Sequence, residues 1–199
     1  MGGHSMGGHS LEDMNLGPQD GELALRFLDA MVLHHQGAIA MAEAALTHSS
    51  RSEIKTLAQA IITAQQKEIA QMQEWRKTWY PQAAAAPLMY QDPPGQTAPM
   101  DEATQADMAM NQDLGTGDDQ FDRRFMDAMI PHHEGAIIMA QQILSPQPPK
   151  ASPPGSSAPS PAPLPPELLT LAQDIIDAQG PEIAQMQQWR QDWYGLDSQ

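Results

Sequence analysis

The chain has 199 residues, enough for one domain with a real core or for two small ones. Its net charge of −15 leaves no basic stripe to neutralise phosphate, which sets nucleic acid aside as a partner. It has no cysteine, so disulfides and thiolate metal sites are excluded, and no apolar run approaches the ~18 residues of a membrane span.

The first element, residues 1–19, opens on the tandem pentapeptide MGGHS-MGGHS and is expected to be a flexible Gly/His/Met tail. Met1 to Ser10 lacks the apolar stretch of a signal peptide. The chain is expected to be either cytoplasmic or a mature exported fragment whose leader is absent from the sequence. If Met1 is removed, the chain begins Gly2-Gly3-His4, a free amine with His third, which suits square-planar Cu(II).

Residues 20–80 then read as a helical hairpin, with helices near 20–47 and 52–80. Apolar residues recur at spacings of three and four, without strand-like alternation. An acidic, Pro- and Met-rich stretch without Lys or Arg, 81–117, is expected to be a linker. A second hairpin fills 118–199, with helices near 118–144 and 166–194 and a Pro/Ser-rich loop over 145–166. Asp118, Asp119 and Pro165-Pro166 suit helix starts.

The two hairpins are copies of each other. FLDAMVLHHQGAIAMAEAAL from Phe27 to Leu46 returns as FMDAMIPHHEGAIIMAQQIL from Phe125 to Leu144. AQAIITAQQKEIAQMQEWRKTWY from Ala58 to Tyr80 returns as AQDIIDAQGPEIAQMQQWRQDWY from Ala172 to Tyr194. One hairpin cannot bury its own apolar stripe, but two packed together can. The predicted fold is therefore all-α, an antiparallel four-helix bundle with pseudo-twofold symmetry.

Each copy carries Met, an adjacent His pair and a second Met: Met31, His34, His35, Met41 and Met129, His132, His133, Met139. With ~100° per residue, His34 lies about −60°, His35 about +40° and Met41 about −80° from Met31, all on the stripe that also carries Phe27, Ala38 and Ala42. Asp29 falls on the other side and is expected to meet solvent or cap the helix. The second helix of each hairpin brings Gln65, Glu68 and Met72, or Gln179, Glu182 and Met186, onto its inner face. Glu68 and Glu182 are candidates either for direct ligation or for orienting the histidines. Trp75, Trp79 and Tyr80, with Trp189, Trp193 and Tyr194, are expected to close the bundle ends. Pro131, before His132, and Gly180-Pro181, before Glu182, are expected to bend the second hairpin and make its site unequal to the first.

Methionine on a buried stripe is ordinarily a packing residue, and a lone inward histidine ordinarily a hydrogen-bonded core group. Four inward histidines in two equivalent places need partners, because imidazole is costly to bury without them. Thioether sulfur and imidazole together are the donors that a soft ion such as Cu(I) prefers. Thioethers also keep that chemistry where thiols would be oxidised. Met89, Met100, Met108 and Met110 of the acidic stretch rank below the bundle as loose Cu(I) captors.

These motifs resemble a bacterial family known as domain of unknown function 305. Its pattern, M-x-x-H-H-x-x-A-x-x-M-A followed by A-x-x-I-x-x-x-Q-x-x-E-I-x-x-M, matches Met31 to Ala42 with Ala58 to Met72, and Met129 to Ala140 with Ala172 to Met186. The resemblance implies a ferritin-like bundle and a secreted or periplasmic copper-binding role linked to copper resistance.

The resulting expectation is a non-catalytic protein that captures, stores or delivers copper, as monomer or homodimer, with a copper-transport protein as a partner for delivery. Two other readings compete with it. A ferritin-like dinuclear oxidase needs about four carboxylates and two histidines, including Glu-x-x-His, whereas the inward count here is four histidines and two glutamates. A helical interaction module would use the same residues purely as core. No nucleophile elbow, H-E-x-x-H or P-loop is present to support hydrolysis.

Overall fold

The computed structural model describes residues 14–92, 95–148 and 163–195. Gly2-Gly3-His4, His9 and most of the Pro/Ser-rich loop lie outside the described residues. Four long helices, α1 (Leu23–His48), α2 (Ser52–Trp79), α4 (Phe121–Leu144) and α5 (Pro166–Tyr194), form two antiparallel hairpins. The hairpins meet along α1 and α4, giving the expected four-helix bundle. No described helix is long and apolar enough to cross a membrane.

The apolar stripes drive this assembly. Phe27, Met31, Ala38, Met41, Ala42 and Ala45 of α1 are buried, as are Phe125, Met129, Ala136, Met139, Ala140 and Ile143 of α4. The outer helices contribute a narrower seam, Ile54, Ala58, Ile61 and Met72 from α2 and Leu168, Ala172, Ile175 and Met186 from α5. Both internal prolines are carried without ending a helix: α4 runs through Pro131 and α5 through Pro181. Each removes one backbone donor from its helix. Gly195, at φ 63°, ends α5 in the left-handed conformation that glycine adopts without strain. The tryptophans stack in matching pairs, Trp75 on Trp79 at 5.0 Å and Trp189 on Trp193 at 5.2 Å, half-buried against opposite ends of the core.

The segment 81–117 is folded. It forms a hairpin of β1 (Leu88–Gln91) and β2 (Gln96–Pro99), with Leu88 opposite Pro99, followed by the helix α3 (Glu102–Ala109). Asp101 caps α3, its side chain accepting from the Thr104 N–H at 2.8 Å. Leu88, Tyr90, Met100, Met108, Met110 and Leu114 are buried, and α3 and β1 both lie against α1. The acidic residues conceal this in the sequence because they face outward while spaced apolar residues face the bundle.

The repeat also begins earlier than the helices. Asn15 and Asp113 each fold back on the N–H of a glycine two residues on, Gly17 and Gly115, both at 2.9 Å. These glycines have φ of 77° and 70°. An arginine from the first turns of the following helix then clasps each loop. Arg26 donates to the carbonyls of Leu16 and Pro18, and Arg124 to those of Leu114 and Thr116. Met14 and Leu16, placed in the expected tail, are core residues.

Asp29 corrects the expectation of a solvent or capping group. It is buried, ion-pairs with Arg76 of α2 and accepts the Leu88 N–H at 2.9 Å. Arg76 also donates to the Ala84 carbonyl at 2.8 Å. One carboxylate thus ties α1 to α2 and to β1. Burial pushes its pKa up, against the opposing pull of Arg76 and the Leu88 N–H. The second copy repeats the pair as Asp127 and Arg190 at 2.8 Å, but there the aspartate side chain is 36% exposed. Removing one partner of a buried pair costs about 3 kcal/mol, whereas an exposed pair contributes about 0–1 kcal/mol. Urea unfolding should therefore show Asp29→Ala losing about 3 kcal/mol and Asp127→Ala under about 1 kcal/mol.

Candidate metal centre

All four motif histidines are fully buried where α1 meets α4. Helical periodicity puts each His pair on the inner stripe, and glycines let the two stripes approach. A Cβ on Gly37 would lie 3.3 Å from His132 Nε2, and one on Gly135 would lie 3.0 Å from His34 Nε2. Gly135 thus clears room for the imidazole of the opposite helix, while at Gly37 the atom nearest such a Cβ is the Ala109 carbonyl oxygen, at 1.7 Å. The result is ring-to-ring contact, His34 and His132 having centroids 3.8 Å apart.

The outer helices hold the second histidine of each pair. His35 Nε2 lies 2.7 Å from Glu68 Oε2, and His133 Nε2 lies 2.7 Å from Glu182 Oε2. An ionised carboxylate only accepts, so Nε2 carries the proton and the lone pair is left on Nδ1. His132 Nε2 similarly donates to the Ala109 carbonyl at 3.1 Å. The Nδ1 atoms of His35, His132 and His133 are buried without a protein partner, and both nitrogens of His34 are in the same condition. Three rings are therefore held in the tautomer that presents an unprotonated nitrogen inward, the arrangement seen when a carboxylate or carbonyl orients a metal-binding histidine. Gln65 and Gln179 are also buried, with their carbonyl oxygens unpartnered.

The motif methionines flank this polar layer in two symmetrical groups. Met31, Met72 and Met139 share one apolar cluster, and Met41, Met129 and Met186 share the other. Each group draws one methionine from the first position of a His helix, one from its partner helix and one from the opposite half. The structure thus joins the four histidines and two glutamates in one layer and divides the six methionines between two apolar clusters. Among the described residues, no three His, Asp or Glu side chains form a ready-made metal cage. Imidazole nitrogen and thioether sulfur are donors of the kind soft ions prefer, whereas hard ions call for an oxygen shell.

Met108 and Met110, read from the sequence as loose captors in a linker, are buried in the Met31 cluster. Gly37 and Gly135 were legible as signals, since a glycine two residues past each His pair, inside a helix, costs about 0.5–1 kcal/mol relative to alanine and implies close approach. Nothing in the local sequence around Ala109 marks its carbonyl as a histidine partner.

Burial holds the pKa of His34 well below the ordinary imidazole value, and the neighbouring His132 and His35 push it further down. Burial, then His133, lowers His132 to about 3. The unfolded chain takes up these protons near pH 6.5, whereas the fold refuses them until far lower pH. Stability due to these two residues is thus complete above pH 6.5 and is lost as pH falls toward about 3. Chemical denaturation of the metal-free protein between pH 7 and 4 should show a falling stability, by up to about 1.4 kcal/mol per pH unit for each proton. The double variant His34→Leu, His132→Leu should flatten that slope.

Comparison with known proteins agrees with this architecture. Residues 24–151 match the profile of a family described as "Domain of unknown function (DUF305)". CopM in its Cu(I)-bound form superposes with a TM-score of 0.56 at 34% identity, over 86% of this chain and 98% of that one. CopM in an Ag-bound form, obtained by co-crystallisation, gives a TM-score of 0.60 at 34% identity over the same shares of both chains. A DUF305 protein from Streptomyces coelicolor gives 0.57 at 16% identity, over 91% of this chain and 98% of that one, a likeness of fold. No curated protein sequence matches. With the profile spanning both His/Met helices and CopM aligned over nearly its whole length, this chain belongs to the DUF305 family.

Proposed function

We propose that this protein binds copper outside the cytoplasm, taking up Cu(I) foremost and capturing, storing or handing on the metal without catalysis. The observation that carries this reading is the group of buried imidazole nitrogens at the α1–α4 contact that have no protein partner. An unsatisfied buried polar atom costs roughly 1–3 kcal/mol. Five of them in one layer approach the roughly 5–15 kcal/mol net stability of a whole domain. A core role alone leaves that cost unexplained, while a soft cation offsets it. The Cu(I), Cu(II) and silver forms of CopM lend independent support.

In this reading His34, His35, His132 and His133 supply nitrogen. Met31, Met72 and Met139 supply sulfur on one side of the layer, and Met41, Met129 and Met186 on the other. Glu68 and Glu182 orient His35 and His133. Export fits the thioether ligand set, which survives oxidation that thiols do not. A copper-transport protein is the matching partner for delivery, with the chain as monomer or homodimer. The dinuclear oxidase is not favoured, because Glu68 and Glu182 are the carboxylates hydrogen-bonded to the histidines and a di-iron centre uses about four.

Titration of the reduced, metal-free protein with Cu(I) in competition with a chromophoric chelator tests this directly. The wild-type chain should strip Cu(I) from the chelator, and its melting temperature should rise with free Cu(I), by the equivalent of about 2.7 kcal/mol at 100 times Kd. Replacing all four histidines with leucine should abolish both effects while the bundle stays folded. A wild-type chain that takes no Cu(I) would refute the proposal.

A further inference from the structure

Pseudo-symmetry fails at one place in the polar layer, and the 81–117 segment causes it. Its helix α3 ends beside the paired histidines. The Ala109 carbonyl occupies the space over Gly37, where an added Cβ would fall 1.7 Å from the oxygen, and accepts a hydrogen bond from His132 Nε2. Over Gly135, the equivalent glycine, there is no carbonyl. A Cβ there would stand 3.0 Å from His34 Nε2 and 3.6 Å from Met110 Sδ. The unpartnered imidazole nitrogen and the thioether thus border the same small space.

Met110 itself is unusual. Among the described residues it is the non-glycine residue with positive φ, at 47°, and its side chain is 3% exposed. Left-handed backbone costs an L-residue of this kind on the order of 1–2 kcal/mol. Asn111, one position later, is a residue type that tolerates that conformation better. The turn nevertheless places methionine where its sulfur enters the layer. His34 is the histidine with neither nitrogen satisfied, so two lone-pair groups, an imidazole nitrogen and a thioether sulfur, meet at this point with no proton donor supplied by the protein.

We infer that Met110 is a metal-ligating residue, paired with His34 Nε2 across Gly135, and that this makes the His34 side of the layer the tighter site for a soft monovalent ion. The His132 side, with its Nε2 engaged by Ala109, has no equivalent sulfur from α3. The 81–117 segment is on this view part of the binding apparatus, closing the site from outside the repeated helices. This inference rests on the copper reading above, and its test separates the two.

Two measurements on the full chain decide it. In the first, Ag(I) is titrated into protein carrying 13C-labelled methionine methyls, with Met110 assigned through its backbone resonances. The Met110 methyl should move with the first equivalent. In the second, Cu(I) competition compares wild type, Met110→Leu and Met126→Leu. Met126 is a buried methionine outside the motif. Met110→Leu should weaken the tightest Cu(I) by about tenfold or more, and Met126→Leu, a change between apolar side chains of similar volume, should leave it unchanged. A wild-type chain that binds Cu(I) while the Met110 methyl stays still, or while the two variants match, overturns the role of Met110 and leaves copper binding intact. A wild-type chain that binds neither ion overturns both.

Discussion

Where α1 meets α4, Gly135 leaves room for the His34 ring and Gly37 for the Ala109 carbonyl, and His34 and His132 lie ring against ring, 3.8 Å apart. That contact sets the register of the two hairpins and puts imidazole where a bundle would ordinarily place leucine. It also determines what the rest must do. Burial drives the pKa of His34 and His132 far down, so these two rings stay neutral. Glu68, Glu182 and the Ala109 carbonyl orient the other side of the layer by hydrogen bonds to His35, His133 and His132.

The remaining polar interactions keep that layer in place from a distance. Arg26 and Arg124 clasp the loops that lead into α1 and α4, each through carbonyl groups on a glycine-containing turn. Asp29 with Arg76, and Asp127 with Arg190, join each His helix to its partner one turn or so from the histidines. These devices are duplicated, so they descend from the repeat. Their exposures differ because β1 covers Asp29 and leaves Asp127 partly open.

Asymmetry enters through residues that are not repeated. The folded 81–117 segment covers α1, adds Met100, Met108 and Met110 to the cluster around Met31, and brings the end of α3 against the histidine pair. Metal handling by a symmetrical pair of hairpins would give two equal sites. A connection that seals one side gives two environments from the same motif, one rich in sulfur and one closed by a carbonyl.

The sequence by itself determined a good deal. Periodicity and the internal repeat established the four long helices, their pairing and the inward placement of Met31, His34, His35, Glu68 and their counterparts, because each helical position maps onto a fixed direction. Residue chemistry pointed to a soft metal for the same reason that sulfur and imidazole do in any setting. What only the tertiary structure decided is which nitrogen of each histidine is left free, that Asp29 is a buried clamp, and that the acidic segment is folded over the site with Ala109 and Met110 at the histidines. These depend on contacts between residues far apart along the chain. Such contacts are set by how close two backbones can come and by what covers them, and neither quantity is carried by local pattern.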